Sequence, residues 1–277
     1  MITIGQYTGK ENKWLDEDLS HPLNKLKDDC IYEGDCLEFM KMLPDKYVDF
    51  VITDPPYNFD KGFDNDNLPQ EDFWKWIDEV FKEVSRIIKD DSFLVVDFCR
   101  KDMHKLVSVI GTHLDFDDYF GIFCVNTMAQ CRYGYDKFSL MAIFKKGEPK
   151  VSRRWQNLNK IVRYSNGKNY LGHPTQKDKT TYRQLIKMLS KKGDLVFDCF
   201  AGSGTTAISC KELERKFLGC EINPEYVKII RKRLTQTSVG DFNPLNEESL
   251  ISVKRESADS PNSPHDSSTI KEEANFS

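Results

Sequence analysis

The sequence predicts an α/β fold built on a mostly parallel sheet. Three observations point to it: seven short apolar runs, helical patterns set between them, and a glycine-rich turn that joins one such run to a helix. The chain has 277 residues, enough to bury a large core. It is 39% hydrophobic and 30% charged, and no apolar run approaches the ~20 residues of a membrane span. Met1-Ile-Thr-Ile-Gly-Gln lacks a basic segment followed by an apolar one. Membrane-spanning, collagen-like and wholly disordered classes are therefore excluded, and a cytoplasmic location is expected.

Taken in order, the strand candidates are 31–33, 48–53, 93–98, 119–125, 138–144, 195–198 and 217–220. Each is short and apolar, as suits a strand covered on both faces. Between the second and third, a helix over about 71–89 places Phe73, Ile77, Phe81, Val84 and Ile88 on one face. A last helix starts at Asn223-Pro224-Glu225, where Asn suits the N-cap and Pro the first helical position. Residues 1–28 are polar and aperiodic and read as a loose arm. Residues 237–277 contain a Ser/Pro/Asp-rich stretch without hydrophobic period and read as a disordered acidic tail. The folded part is then 29–236.

Eight cysteines fall at 30, 36, 99, 124, 131, 199, 210 and 220 with no C-x-x-C pair, so buried reduced thiols and no metal site are expected. The net charge of -4 is unevenly spread. The tail is strongly acidic, whereas residues 145–168 carry eight basic side chains against one acid, Glu148. Such a strip attracts a polyanion whatever the total charge.

Val196-Phe-Asp-Cys-Phe-Ala-Gly-Ser-Gly-Thr-Thr-Ala-Ile runs from a strand through Gly202 and Gly204 into a helix. Ligands of open α/β sheets bind at such a carboxyl end, and glycine lets the backbone come close to them. No lysine follows Gly204, so a phosphate-binding P-loop is disfavoured, and the match to G-x-G-x-x-G is partial. A ligand-free helix entry explains the glycines equally well. Glu221, 17 residues beyond Gly204, adds a carboxylate placed to accept hydrogen bonds from ribose hydroxyls. Together the two features favour a nucleoside-containing cofactor.

The most specific segment is Val48-Asp-Phe-Val-Ile-Thr-Asp54-Pro55-Pro56-Tyr57-Asn58. A hydrophobic strand ends in an acid, two prolines and an aromatic ring. The prolines fix φ and withhold their N–H groups, which makes a stiff strand exit. This set suits chemistry on the exocyclic amino group of a nucleobase, whose lone pair is delocalised into the ring. If the Asp54 carboxylate and the Pro55 carbonyl each accept one N–H, the nitrogen is drawn towards tetrahedral geometry and its lone pair can meet an electrophilic methyl. Tyr57 can stack on the base. Alignment and preorganised dipoles are then the protein's contribution.

Asp54-Pro-Pro-Tyr57 followed by Asp198-Cys-Phe-Ala-Gly-Ser-Gly-Thr-Thr206 resembles the amino-group DNA methyltransferases that use S-adenosylmethionine. The catalytic motif precedes the cofactor motif, the permuted order of the family's β group, and the resemblance spans about 30–236. It implies a seven-stranded Rossmann-like methyltransferase sheet with a small target-recognition insertion at about 145–172. It also implies that Asp54, Pro55, Pro56 and Tyr57 are catalytic. Gly34-Asp35-Cys36 resembles the element near the cofactor's adenine. His173-Pro174-Thr175-Gln-Lys177 resembles the element at its methionine end, with Asp178 where the family usually has proline. Asp198, Phe200, Gly202, Ser203, Gly204 and Thr205 would border the cofactor, and Glu221 with Asn223 would sit at its ribose.

The resemblance, with Asp rather than Ser heading the catalytic motif, points to adenine N6 in DNA; cytosine N4 poses the same chemical problem. An RNA or protein amide methyltransferase, or a non-catalytic DNA-binding subunit, are the rival classes. A paired base lies inside the duplex, so the enzyme must flip it out. Residues 58–66, with Phe59 and Phe63, follow the catalytic loop and are placed to close over it. Arg153, Arg154, Trp155, Lys160 and Arg163 in the basic strip are the expected DNA contacts. The strip is short, which implies a short recognition site, weak specificity, or help from a second subunit such as a homodimer partner.

Overall fold

The computed structural model describes residues 3–8, 13–18, 28–60, 66–124, 129–131, 134–136, 138–152, 159–162 and 177–237, with side chains over 28–60, 66–123, 138–152 and 177–237. The elements are β1 (Thr3–Thr8), β2 (Lys13–Asp18), β3 (Cys30–Glu33), α1 (Cys36–Met42), β4 (Val48–Thr53), α2 (Gln70–Ile87), β5 (Ile88–Phe98), α3 (Met103–Ile110) and β6 (Asp115–Cys124), then β7 (Ala129–Cys131), β8 (Gly134–Asp136), β9 (Phe138–Lys146), β10 (Asn159–Val162), α4 (Lys179–Leu189), β11 (Leu195–Asp198), α5 (Thr205–Glu212), β12 (Lys216–Glu221) and α6 (Pro224–Thr235).

Ten strands form one sheet in the order β10-β6-β9-β5-β4-β11-β12-β3-β1-β2, and β7 pairs with β8 separately. The seven strands expected from apolar runs are the contiguous centre of this sheet, from β6 to β3. Their core runs through side chains such as Phe50, Leu94, Val96, Phe144, Phe197 and Leu218, all essentially inaccessible. β5, β4, β11, β12 and β3 are mutually parallel, and β9 runs antiparallel between β5 and β6. Helices α1–α3 pack as one layer and α4–α6 as another. The chain leaves β4 towards β5 on one side and leaves β11 towards β12 on the other. The adjacent β4/β11 pair is therefore the point where strand order reverses, and the carboxyl ends beside it form a ready-made crevice.

The loose arm expected over 1–28 is a correction. β1 and β2 pair antiparallel with each other, and β1 pairs antiparallel with β3, so they extend the sheet. An outer antiparallel hairpin draws on backbone hydrogen bonds, which leave no apolar signature in the sequence. At the other edge β10 pairs parallel with β6 inside the basic strip. The helix expected over 71–89 ends two residues early, at Ile87, because Ile88 opens β5 opposite Val48 and is fully buried there. Short α1 and α3 escape the sequence because two turns hold too few apolar repeats to show a period. Among the described residues no helix is long and apolar enough to cross a membrane. The cysteines with described side chains are free, five of them buried and Cys99 half-buried. Residues 238–277 lie outside the described residues.

Gly204 tests how tightly α5 and α6 are packed. Its φ is +79°, and an added Cβ would lie 2.8 Å from Ile230 Cγ2. Gly193 has a similar φ of +84° but open space around it. Gly204→Ala should destabilise by strain plus overpacking, about 2–4 kcal/mol, and Gly193→Ala by strain alone, about 1 kcal/mol. Urea unfolding of the two variants measures the difference.

Candidate active site

β4 carries a buried apolar run to the carboxyl edge, where Asp54 emerges. Pro55 and Pro56 cannot continue the ladder. The chain then turns back on itself. Asn58 takes a left-handed φ of 58° and donates from Nδ2 to the Leu68 carbonyl at 2.9 Å. The Phe59 N–H donates to Asp66 Oδ1 at 3.0 Å. This brace holds Tyr57 edge-on to Phe98 at 5.0 Å and to Phe59 at 5.9 Å. The Tyr57 hydroxyl donates to Asp54 Oδ1 at 2.7 Å.

Lys177 completes the corner. Its Nζ lies 3.0 Å from Asp54 Oδ1, 3.0 Å from Asp97 Oδ2 and 2.9 Å from the Tyr57 hydroxyl, which accepts from it. The Asp54 carboxyl is pushed up to about 7, the balance of burial and Asp97, which raise it, against Lys177 and the Tyr57 hydroxyl, which lower it. Burial disfavours the Lys177 ammonium, but the two carboxylates outweigh it and hold that group well above its ordinary value. Burial and the same carboxylates push the Tyr57 phenol well upward. At neutral pH the corner holds a charged lysine, a neutral phenol and a carboxyl poised near its titration point.

The glycine-rich turn follows β11. Asp198 at that strand's end accepts from Thr53 Oγ1 at 2.8 Å, Thr206 Oγ1 at 2.6 Å and the Phe200 N–H at 3.1 Å. Burial still pushes its carboxyl up to about 6. The Thr53 bond ties β4 to β11 across the reversal point. Gly202 donates its N–H to Glu221 Oε2 at 2.7 Å, and Asn223 donates its N–H to Glu221 Oε1 at 2.9 Å. Asn223 also caps α6 through Glu225, as its position before Pro224 predicts. The Ser203 carbonyl and hydroxyl accept from buried Arg233 at 2.5 and 3.0 Å.

A cavity of about 200 Å³ joins the two halves. At one end stand Asp54, Pro55, Pro56, Tyr57 and Lys177. At the other stand Asp35, Cys36, Gly202, Glu221 and Asn223, with Phe200 between. A smaller space of about 30 Å³ beside it is bordered by Asp198, Ser203 and Thr205. The sequence therefore names most of the wall. Asp35 is at the cavity, although its Oδ1 is engaged as the N-cap of α1 by the N–H groups of Leu37 and Glu38. Gly204 borders neither space, and an added Cβ there would meet Ile230. Asp178 accepts from the Thr181 N–H at 2.8 Å and caps α4, which explains an acid where the resembled motif has proline.

His173, Pro174, Thr175, Arg153, Arg154, Trp155, Arg163 and Phe63 lie outside the described residues, and Lys160 is described only as backbone of β10. Of the described basic residues of the strip, Lys145 pairs with Glu148, and Lys146 donates to the carbonyls of Ser85 and Ile88. Those two serve the local fold. Sequence reasoning missed Asp97, Trp76 and Tyr226. Asp97 had a signal, since it is an acid at the end of an apolar strand, as Asp54 and Asp198 are. Trp76 and Tyr226 sit on helices, where the helical period disguises a residue turned to the cavity. Among the described residues no group of His, Cys, Asp and Glu is arranged to hold a metal ion.

Gly202 has a φ of 51° and lines the cavity, so Gly202→Val adds a branched side chain to a left-handed residue at the wall. Its affinity for S-adenosylmethionine should fall by about tenfold or more, as titration calorimetry would measure.

The comparisons with known proteins agree with this geometry. Type II methyltransferase M.HpaI of Haemophilus parainfluenzae is 26% identical over 228 residues, 73% of this chain and 72% of that protein. DNA adenine methyltransferase YhdJ of Escherichia coli K12 is 28% identical over 250 residues, covering 75% of this chain and 83% of that one. The solved structure of the M1.HpyAVI–SAM complex superposes with a TM-score of 0.60 at 26% identity, over 74% of this chain and 98% of that chain. The cytosine-N4-specific PvuII DNA methyltransferase shares the fold at a TM-score of 0.63 and 20% identity, over 79% of this chain and 90% of that chain. The DNA methylase family model matches residues 48–232, a span that includes both the Asp54 corner and the glycine-rich turn, and the chain belongs to that family of N6/N4 amino-methyltransferases.

Proposed function

We propose that the protein transfers a methyl group from S-adenosylmethionine to the exocyclic N6 of adenine in DNA. The observation that carries this reading is one cavity lined both by the Asp54–Tyr57 corner and by Gly202 and Glu221. The residues present fit the cofactor. Glu221 offers a buried carboxylate at the ribose position, its two oxygens already oriented by backbone N–H groups. Trp76, Phe200, Ile222 and Tyr226 supply an apolar and aromatic wall for a planar base. Asp198, Ser203 and Thr205 border the smaller polar space, which suits the methionine end. Bound S-adenosylmethionine supplies a methyl group made electrophilic by its sulfonium.

This chain's residues then align the acceptor. Tyr57 and Lys177 both bond to Asp54 Oδ1, so Oδ2 receives no donor among the described residues. Asp54 Oδ2 accepts one N–H of the flipped base and the Pro55 carbonyl accepts the other, which turns the nitrogen lone pair outward. Asp54 also holds the proton that the nitrogen releases after transfer. Tyr57 and Phe59 stack against the base, and their edge-on packing fixes the ring that it meets. Arg153, Arg154, Trp155, Lys160 and Arg163 contact the duplex around the target, and a second subunit extends the short recognition surface.

Adenine is favoured over cytosine by the aspartate that heads the catalytic motif, and the related YhdJ is an adenine methyltransferase by name. Nucleoside mass spectrometry of DNA from cells that express the chain should show N6-methyladenine; N4-methylcytosine in its place would reverse the choice. Asp54→Ala should lower transfer of tritiated methyl to duplex DNA by about a thousandfold or more while cofactor affinity stays within about threefold. Because burial raises Asp54 to about 7, its carboxylate form is depleted below that pH. The rate of methyl transfer should therefore fall about tenfold per pH unit on the acid side of 7, which single-turnover assays across pH 5.5–8.5 would measure.

A further inference from the structure

We infer that Asp97 and Lys177 are a positioning pair that immobilises one oxygen of Asp54 and thereby reserves the other for the target base. The inference rests on the methyl-transfer reading of the site and assigns Lys177 to the acceptor side of the cavity rather than to the cofactor.

An ammonium group has three protons to donate. The Lys177 ammonium donates to the Tyr57 hydroxyl at 2.9 Å and pairs with Asp54 Oδ1 and Asp97 Oδ2 at 3.0 Å each, so its charge is engaged within the corner. Asp97 itself is almost wholly buried, with its side chain 4% exposed at the end of β5, and it accepts from Ser139 Oγ of β9 at 3.4 Å. A carboxylate so enclosed needs a cation, and the ammonium that it holds is the one that reaches Asp54. Two donors on Asp54 Oδ1 then leave the rotation of that carboxylate fixed. Without Asp97, the ammonium is free to swing onto Oδ2 and compete with the incoming amino group for the same acceptor.

The charged and titratable groups around this point come from every neighbouring element. Asp54 and Tyr57 follow β4, Asp97 ends β5, Lys177 precedes α4, Tyr182 lies on α4 and Asp198 ends β11. Within this set Asp97 and Lys177 act on Asp54 with opposite sign. Removing the negative Asp97 makes Asp54 easier to ionise, and removing the positive Lys177 makes it harder. A residue that merely fills space would shift neither.

The test is a carbon-13 carboxyl NMR titration of the full chain, free of cofactor and DNA, as wild type, Asp97→Asn, Lys177→Met and Lys177→Arg. The Asp54 resonance is assigned by its loss in Asp54→Asn. Its midpoint should move to lower pH in Asp97→Asn, to higher pH in Lys177→Met, and stay near wild type in Lys177→Arg. In parallel, single-turnover methyl transfer should fall about tenfold or more in Asp97→Asn and in Lys177→Met, with S-adenosylmethionine affinity within about threefold of wild type. An Asp54 midpoint that is unmoved in both Asp97→Asn and Lys177→Met overturns the inference. So does a loss of cofactor affinity in Lys177→Met with the Asp54 midpoint unchanged, which would return the lysine to the methionine end. The NMR result stands whether or not the wild type methylates DNA, so failure of the methyl-transfer reading is seen separately, as a wild type without transfer.

Discussion

Three carboxylates, Asp54, Asp97 and Asp198, stand at the ends of three neighbouring parallel strands, Asp97 and Asp198 buried and Asp54 half-buried. Carboxylates so enclosed need partners, and the surrounding structure answers each one differently. Asp198 is met by two threonine hydroxyls and a backbone N–H. Asp97 is met by Lys177, and Asp54 shares that same lysine with Tyr57. The carboxyl edge of the sheet is thus a polar seam in which, among the described residues, Lys177 pairs with both Asp54 and Asp97.

The seam also explains why the two motifs belong together. Thr53, the residue before Asp54, donates to Asp198, the first residue of the glycine-rich motif. A hydrogen bond across the strand-order reversal therefore links the two motifs directly. The glycine turn is held from behind by Arg233, which binds the Ser203 carbonyl, and from the front by Glu221, which binds the Gly202 N–H. Of its two glycines, one faces the cavity and the other faces α6. A motif that reads as a single ligand-binding signal is in physical terms half ligand wall and half helix packing.

The family membership and the fold make DNA amino-methylation the frame, while the chain's own side chains supply its particulars. Asp178 in place of a proline is one such particular. It caps α4 and so sets where Lys177, the residue just before it, leaves the helix and reaches the seam. The apolar wall of the cavity draws also on residues outside the motifs, among them Trp76 packed against Phe200 at 5.6 Å.

What the amino-acid sequence determined by itself was local: the seven central strands, the capped start of α6, the stiff Asp54–Tyr57 exit and the glycine-rich turn. Each is encoded within about ten residues, by apolar runs, prolines, glycines and caps whose preferences act on the nearest backbone. Only the tertiary structure decided that Lys177 meets Asp54, Asp97 and Tyr57, that Gly204 sits against Ile230, and that β1 and β2 extend the sheet. Lys177 meets Tyr57 across 120 positions of sequence, and Thr53 meets Asp198 across 145. Such encounters depend on which strand ends the sheet brings side by side. No residue spacing carries that information, because it is set by strand order and by the burial of charges that must find partners there.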